Sequence, residues 1–181
     1  MPHQKTQVIY IHGGMTFRKK KDYVKYLRTR KISIEKKVHW SDTYLDSALG
    51  KKYQVIRPRM PNKEDSKYEE WSINFERHFP HFKNGIVLIG ESLGGIFLAK
   101  YLSEKKFPKR IAATYLVCPP FDNTLPSDDL VGGFQLKSNL SKLEKQSKKI
   151  HLLFSKNDEC VPPAQAEKYR KKLKTANIII Y

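Results

Sequence analysis

Ile86-Val87-Leu88-Ile89-Gly90-Glu91-Ser92-Leu93-Gly94-Gly95 is the stretch whose reading decides the fold. Four consecutive apolar residues bounded by polar and turn-forming ones fit a strand buried on both faces. G-x-S-x-G follows at once, and an amphipathic helical pattern follows that. The context predicts a tight strand-to-helix turn with Ser92 at its tip, a nucleophile elbow. Gly90 and Gly94 let strand and helix approach closely. A serine held this way presents its hydroxyl to a base on another loop, which a neutral hydroxyl needs before it can attack. The competing reading is a structural turn serine.

Outward from this point the chain alternates. Strand-like runs are Gln7–Ile11, Tyr53–Arg57, Ile86–Ile89, Ile111–Val117, Ile150–Phe154 and Asn177–Tyr181. Helix candidates lie between them. Trp40–Leu49 is followed by Gly50 as a C-cap. Lys67–Phe79 places Tyr68, Trp71, Phe75 and Phe79 on one face. Leu93–Lys105 is stopped by Pro108. Pro162–Leu173 opens on prolines that suit a first turn. The rhythm predicts a mainly parallel α/β sheet with right-handed crossovers and helices on both faces. The expected strand order begins at Tyr53 and continues with the strands starting at Gln7, Ile86, Ile111, Ile150 and Asn177. Residues 1–181 read as a single domain.

Two segments break the rhythm. Gly13 to His39 is long, rich in Lys, Arg and Tyr, and holds a short helix near Asp22–Thr29. Pro119–Ser141 is a loop or small cap. Both fall at the C-terminal edge of the strands, where α/β sites form. They are expected to shape the substrate pocket.

The formal charge is +17, from 35 Lys and Arg against 18 Asp and Glu. The lysines are spread along the whole length, with clusters at Arg18–Lys21 and Lys168–Lys174. No nucleic-acid recognition motif accompanies them, so no specific nucleic-acid binding is expected. No run approaches a membrane span, and no membrane association is expected. Met1–Lys5 lead into the first strand without the pattern of a signal peptide. The two cysteines, Cys118 and Cys160, form neither a disulfide framework nor a spaced metal motif. A cytoplasmic protein with reduced thiols is the expectation. Cys160 reads as a small core-facing residue.

Two further stretches complete a constellation with Ser92. His12-Gly13-Gly14 follows the first strand. An acyl-transfer transition state builds negative charge on an oxygen, and backbone N–H groups aimed at that oxygen stabilise it. The predicted oxyanion hole uses the N–H of Leu93 and one at Gly14 or Met15. Asp158 follows the Ile150–Phe154 strand, where the acid of the order Ser…Asp…His falls. It would orient an imidazole and stabilise its charged form. Glu159 is its neighbour and competitor, and a helix-capping aspartate is the plainer alternative.

These stretches resemble the α/β-hydrolase superfamily, a three-layer fold. The likeness is narrower to the small serine hydrolases related to retinoblastoma-binding protein 9 and to bacterial YdeN-type proteins. It rests on Val8–Gly14, Val55–Asn62, Lys67–Phe75, Ile86–Tyr101, Leu116–Pro120 and Phe154–Pro162. The resemblance implies hydrolysis of a small-molecule acyl ester, Ser92 and Asp158 as nucleophile and acid, and no metal or organic cofactor. It also implies a histidine in a loop after the last strand, followed by a closing helix. Here that strand is Asn177–Tyr181, so a chain truncated before its histidine is the preferred expectation. The alternatives are a non-catalytic hydrolase-fold protein that holds a protein partner, and a site rebuilt on His12 as substitute base. His3, His78, His81 and His151 fall at the wrong edge of the sheet. His39 lies in the first insertion and stays open.

Overall fold

The computed structural model describes residues 5–35, 38–126 and 129–181. His3 therefore lies outside the described residues. The order of elements is β1 (Thr6–Ile11), α1 (Lys20–Thr29), α2 (Trp40–Leu49), β2 (Tyr53–Ile56), α3 (Tyr68–Arg77), β3 (Ile86–Glu91), α4 (Leu93–Glu104), β4 (Ile111–Val117), α5 (Ser141–Gln146), β5 (Ile150–Phe154), α6 (Ala164–Lys172) and β6 (Asn177–Ile180). The strands form one sheet in the order β2-β1-β3-β4-β5-β6. Every pairing is parallel. Order and direction are those expected from the apolar runs.

Burial explains why those runs were legible. Ile9, Ile11, Ile86, Leu88, Leu116 and Leu152 face a large core shared with Trp71 and Phe75 of α3, Ile96 and Phe97 of α4, and Tyr169 of α6. Val8, Tyr10 and Ile89 face the opposite side, where Leu45 of α2 covers them. Strands with both faces covered cannot alternate apolar with polar, so they read as continuous apolar segments. The coverage is uneven. Val87, Tyr115 and Val117 pack against the α2 side and remain half-buried.

Helix boundaries follow local chemistry. α2 matches its expected range and ends at Gly50, whose φ of 68° puts it in the region that favours glycine. α3 stops at Arg77, two residues short of Phe79, which opens a 3₁₀ turn at Phe79–His81 with Pro80 inside it. α6 begins at Ala164, because Pro162 and Pro163 form the turn before it rather than its first residues. α5 was not anticipated. It has six residues, and Leu143 is its one buried side chain, too short a pattern to show periodicity.

Candidate functional site

Ser92 sits at the C-terminal end of β3, a central strand of the sheet, and immediately precedes α4. Its backbone has φ 50° and ψ −117°, a conformation that costs a non-glycine residue of order 1–3 kcal/mol. The surroundings hold it there. Its N–H donates to the Val117 carbonyl (2.8 Å), and its own carbonyl accepts from Gly95 and Ile96 N–H as α4 begins. The turn is so tight that a Cβ on Gly90 would lie 2.3 Å from the Gly94 oxygen. The glycines flanking Ser92 are therefore required by close backbone approach.

The His12-Gly13-Gly14 turn lies against this serine. A Cβ built on Gly13 would come 3.4 Å from the Ser92 Cβ and 4.0 Å from its Oγ. Leu93 opens α4, and the first N–H of a helix has no partner within it. Gly14 belongs to the same small cleft as Ser92 and Leu93. Met15 must be removed from the expected donor set. Its N–H is already given to the Lys63 carbonyl at 2.8 Å.

His12 does not fit the role of substitute base as placed. Met60 N–H donates to its Nε2 at 3.1 Å, so that nitrogen is the acceptor. Its Nδ1 lies 2.6 Å from the Gly13 carbonyl, so that nitrogen carries the proton. Both ring nitrogens are spent on backbone, and the ring packs edge-on against Trp71. Burial first, then the nearby Lys63 and Arg59 charges, lowers its pKa, although the Gly13 bond opposes the shift. The neutral ring ties the Gly13–Gly14 turn to the strand-exit loop at Met60. A sign follows for stability. The unfolded imidazole takes up a proton near pH 6.5, whereas the folded one resists it, so the unfolded state gains protons first as pH falls. In urea titrations at a series of pH values, the wild type is expected to lose stability faster below about pH 6.5 than His12→Gln does.

Asp158 lies in the loop after β5 and is half-buried, whereas Glu159 is exposed. Its Oδ1 accepts the N–H groups of Cys160 (2.9 Å) and Val161 (2.8 Å). Cys118 is the unanticipated neighbour. It follows β4 with φ 44°, and its N–H donates to the Leu153 carbonyl. Burial, and then a hydrogen bond to the Asp158 carboxylate, pushes its thiol pKa up to about 12. That thiol is a protonated donor and not a nucleophile. Cys160, expected to face the core, is exposed.

The two insertions meet over the cleft. Arg18 forms a two-pronged contact with Asp129 (3.0 and 2.9 Å), and Val131 N–H donates to the Thr16 hydroxyl at 3.0 Å. Thr16, Leu125, Leu130 and Val161 line the cleft beside Ser92. A wider cavity of about 1100 Å³ adjoins the turn and is lined by Gly13, His39, Arg57, Arg59, Lys63 and Glu91 among others. Glu91, the second residue of the Ser92 motif, is the main group missed in the sequence. Tyr10 donates its hydroxyl to Oε2, and Trp40 Nε1 lies 3.4 Å from Oε1. His39 Nε2 also lies 3.4 Å from Oε1. The His39 Nδ1 accepts Ser41 N–H at 3.3 Å and caps α2. His39 is thereby engaged by α2 and Glu91. Burial, and then Glu91, raises the Tyr10 pKa. His151 stacks on Tyr115 at the start of β5, and His78, the C-cap of α3, bonds the Asn74 carbonyl. No histidine of the described residues is hydrogen-bonded to Ser92.

The family described as serine hydrolase matches residues 33–180, most of the chain. The chain belongs to the serine hydrolase family. Solved structures agree on the fold. The ydeN gene product from B. subtilis is 20% identical with a TM-score of 0.68, over 98% of this chain and 85% of that one. A putative yden-like hydrolase from Pectobacterium atrosepticum is 14% identical with a TM-score of 0.60, over 97% and 76%. Est1E from Butyrivibrio proteoclasticus is 16% identical with a TM-score of 0.58, over 99% and 79%. No sequence among curated proteins matches. The three-layer sheet of this serine hydrolase is thus the α/β-hydrolase fold.

Among the described residues no helix is long and apolar enough to cross a membrane. Among the same residues no group of three or more His, Cys, Asp or Glu is placed to hold a metal ion.

Proposed function

We propose that this serine hydrolase cleaves small carboxylic esters through an acyl-enzyme on Ser92. The observation that carries the reading is the strained Ser92 turn at the end of β3, set against the glycine turn after β1. The Ser92 hydroxyl attacks the acyl carbonyl, and the developing oxyanion lies between the N–H groups of Leu93 and Gly14. Alcohol leaves, and water then releases the acid. In a complete triad Asp158 would orient an imidazole that takes the Ser92 proton and returns it to the leaving alcohol. The described residues bring no imidazole to Ser92. The chain as given is therefore proposed to work far below a complete triad, keeping the part of catalysis that oxyanion stabilisation and binding supply.

A second reading is favoured by the engagement of His12 and His39 with backbone and Glu91. In it the protein is a non-catalytic member of the fold that holds a partner. Fluorophosphonate labelling with peptide mapping separates the two. The hydrolase reading expects slow labelling confined to Ser92 and absent from Ser92→Ala. It also expects turnover of p-nitrophenyl acetate that added imidazole raises in the wild type above the rise seen in Ser92→Ala. Equal rates in both proteins, with no adduct on Ser92, would establish the second reading.

A further inference from the structure

Residues 17–35 follow the turn beside Ser92, and Arg18 among them helps to close the cleft. Residues 18–35 hold eight Lys or Arg against Asp22 and Glu35. Two of the eight are paired, Arg18 with Asp129 and Arg30 with Glu64. Among the described residues the other six, Lys19, Lys20, Lys21, Lys25, Arg28 and Lys31, have no acidic partner. Helix α1 carries this charge on one side, through Lys21, Lys25 and Arg28. Tyr23, Tyr26 and Leu27 occupy the opposite side, and Val24 lies between the two. An apolar helical stripe in a soluble fold is ordinarily buried. In α1 no residue is buried.

The helix is tied to the body at its C-cap, where Arg30 pairs with Glu64, and its Tyr23, Val24 and Tyr26 are half-buried. Its aromatic contacts are Phe17 with Tyr23 and Tyr26, and Lys20 and Tyr23 line a cleft of about 470 Å³ with Asn62, Lys63 and Glu70. Further apolar side chains are exposed beyond the helix. Ile32 is 80% exposed, Ile34 100%, Val38 59% and Trp40 40%. Large aliphatic groups so exposed beside unpaired cations call for a partner that is both anionic and apolar.

We infer that this α1 surface binds an anionic lipid membrane, with the cations at the headgroups and Leu27, Ile32, Ile34 and Trp40 in the interface. Charge complementarity selects an anionic partner, and the exposed aliphatic groups select a bilayer over a nucleic acid. A polyanion without an apolar phase would leave Ile32 and Ile34 in water. Interfacial helices of this kind need both the basic side and the apolar side. The contact also sets the Ser92 cleft at the lipid surface, because Arg18 and Thr16 of the same segment close that cleft against the loop at Asp129–Val131. That last clause rests on the hydrolase reading, whereas membrane binding does not.

Co-sedimentation with vesicles tests the inference on the whole chain. Phosphatidylcholine vesicles with about 30% phosphatidylserine are compared with pure phosphatidylcholine, at about 0.1 M salt. Binding is expected to the first and not to the second. Reversing Lys21, Lys25 and Arg28 to Glu is expected to weaken it about tenfold or more. Ile32→Ser with Ile34→Ser is expected to do the same with charge unchanged. A charge-matched control reverses Lys171, Lys172 and Lys174, exposed at the end of α6 and just beyond it, and should change binding by less than about threefold. Ser92→Ala should bind as the wild type does, so a failed hydrolase reading leaves this one standing. All of these changes fall on exposed side chains except that at Ser92, and unchanged melting curves show that each variant is folded. Equal loss in the α6 control overturns the inference. So does indifference to the isoleucine changes, or tighter binding to single-stranded RNA than to the anionic vesicles.

Discussion

Gly94→Ala is expected to destabilise the protein by about 3 kcal/mol or more, although the same change on an exposed helix face ordinarily stabilises. The reason lies in what surrounds the position. An added Cβ would stand 2.3 Å from the Ile11 carbonyl oxygen and 2.6 Å from that of His12. Both are backbone atoms, so no rotamer change relieves the contact. Either α4 moves outward or the end of β1 does. The end of β1 carries His12 and the Gly13–Gly14 turn, so strain there also displaces the proposed oxyanion donor from Ser92. Helix propensity acts the other way, since alanine is favoured over glycine by about 1 kcal/mol within a helix. The net sign therefore decides between a packing role and a merely tolerated glycine. Urea unfolding provides the measurement. A Gly94→Ala protein as stable as the wild type would show that β1 and α4 are not pressed together as described. Labelling of Ser92 provides an independent readout, because a small relaxation that spares stability would still shift Gly14.

The same backbone proximity explains which parts of the site were legible in the sequence. Gly90, Ser92 and Gly94 are neighbours in the chain, and their spacing alone encodes a turn. The strands were legible because a parallel strand covered on both faces leaves a continuous apolar run. Groups brought together from distant segments leave no such trace. Glu91 receives Tyr10, His39 and Trp40 from two other segments, and nothing in the local sequence marks it as a junction. Cys118 reaches Asp158 only because the ends of β4 and β5 are adjacent in the sheet. Met15 and His12 show a different limit. Their residue types and positions suit the oxyanion loop, but their roles depend on whether the Met15 N–H and the imidazole nitrogens are already bonded. Lys63, Met60 and Gly13 decide that, and two of those three lie about fifty residues away in the chain. The exposed apolar surface at Leu27, Ile32 and Ile34 was hidden for the opposite reason. In sequence such residues look like ordinary core, and only the fold shows that nothing covers them.

Trp71 joins the core to the site, and Trp71→Ala is expected to cost about 4–5 kcal/mol. Its side chain is fully buried. The ring meets Phe97 at 5.6 Å and Phe134 at 5.3 Å between centroids, both edge-on, and His12 at 5.5 Å. Truncation removes a large apolar surface and leaves a cavity among rigid rings that cannot collapse into it. It also removes the donor to the Pro61 carbonyl, 2.8 Å away. The thermal midpoint should fall by about 10 °C or more for a chain of this size. Trp71→Phe separates the two contributions. It keeps an aromatic ring in the cluster but orphans the Pro61 carbonyl, and should cost about 1–3 kcal/mol. The consequence for the site runs through His12. That ring is held between Met60 N–H, the Gly13 carbonyl and the face of Trp71, so losing the indole frees it to turn. In Trp71→Phe, which remains folded, the lowered His12 pKa is expected to return toward 6.5 as water enters, followed by NMR titration of the ring protons. A His12 titration unchanged in Trp71→Phe would mean that the Met60 and Gly13 bonds alone hold the imidazole, and that the core does not set the geometry of the turn beside Ser92.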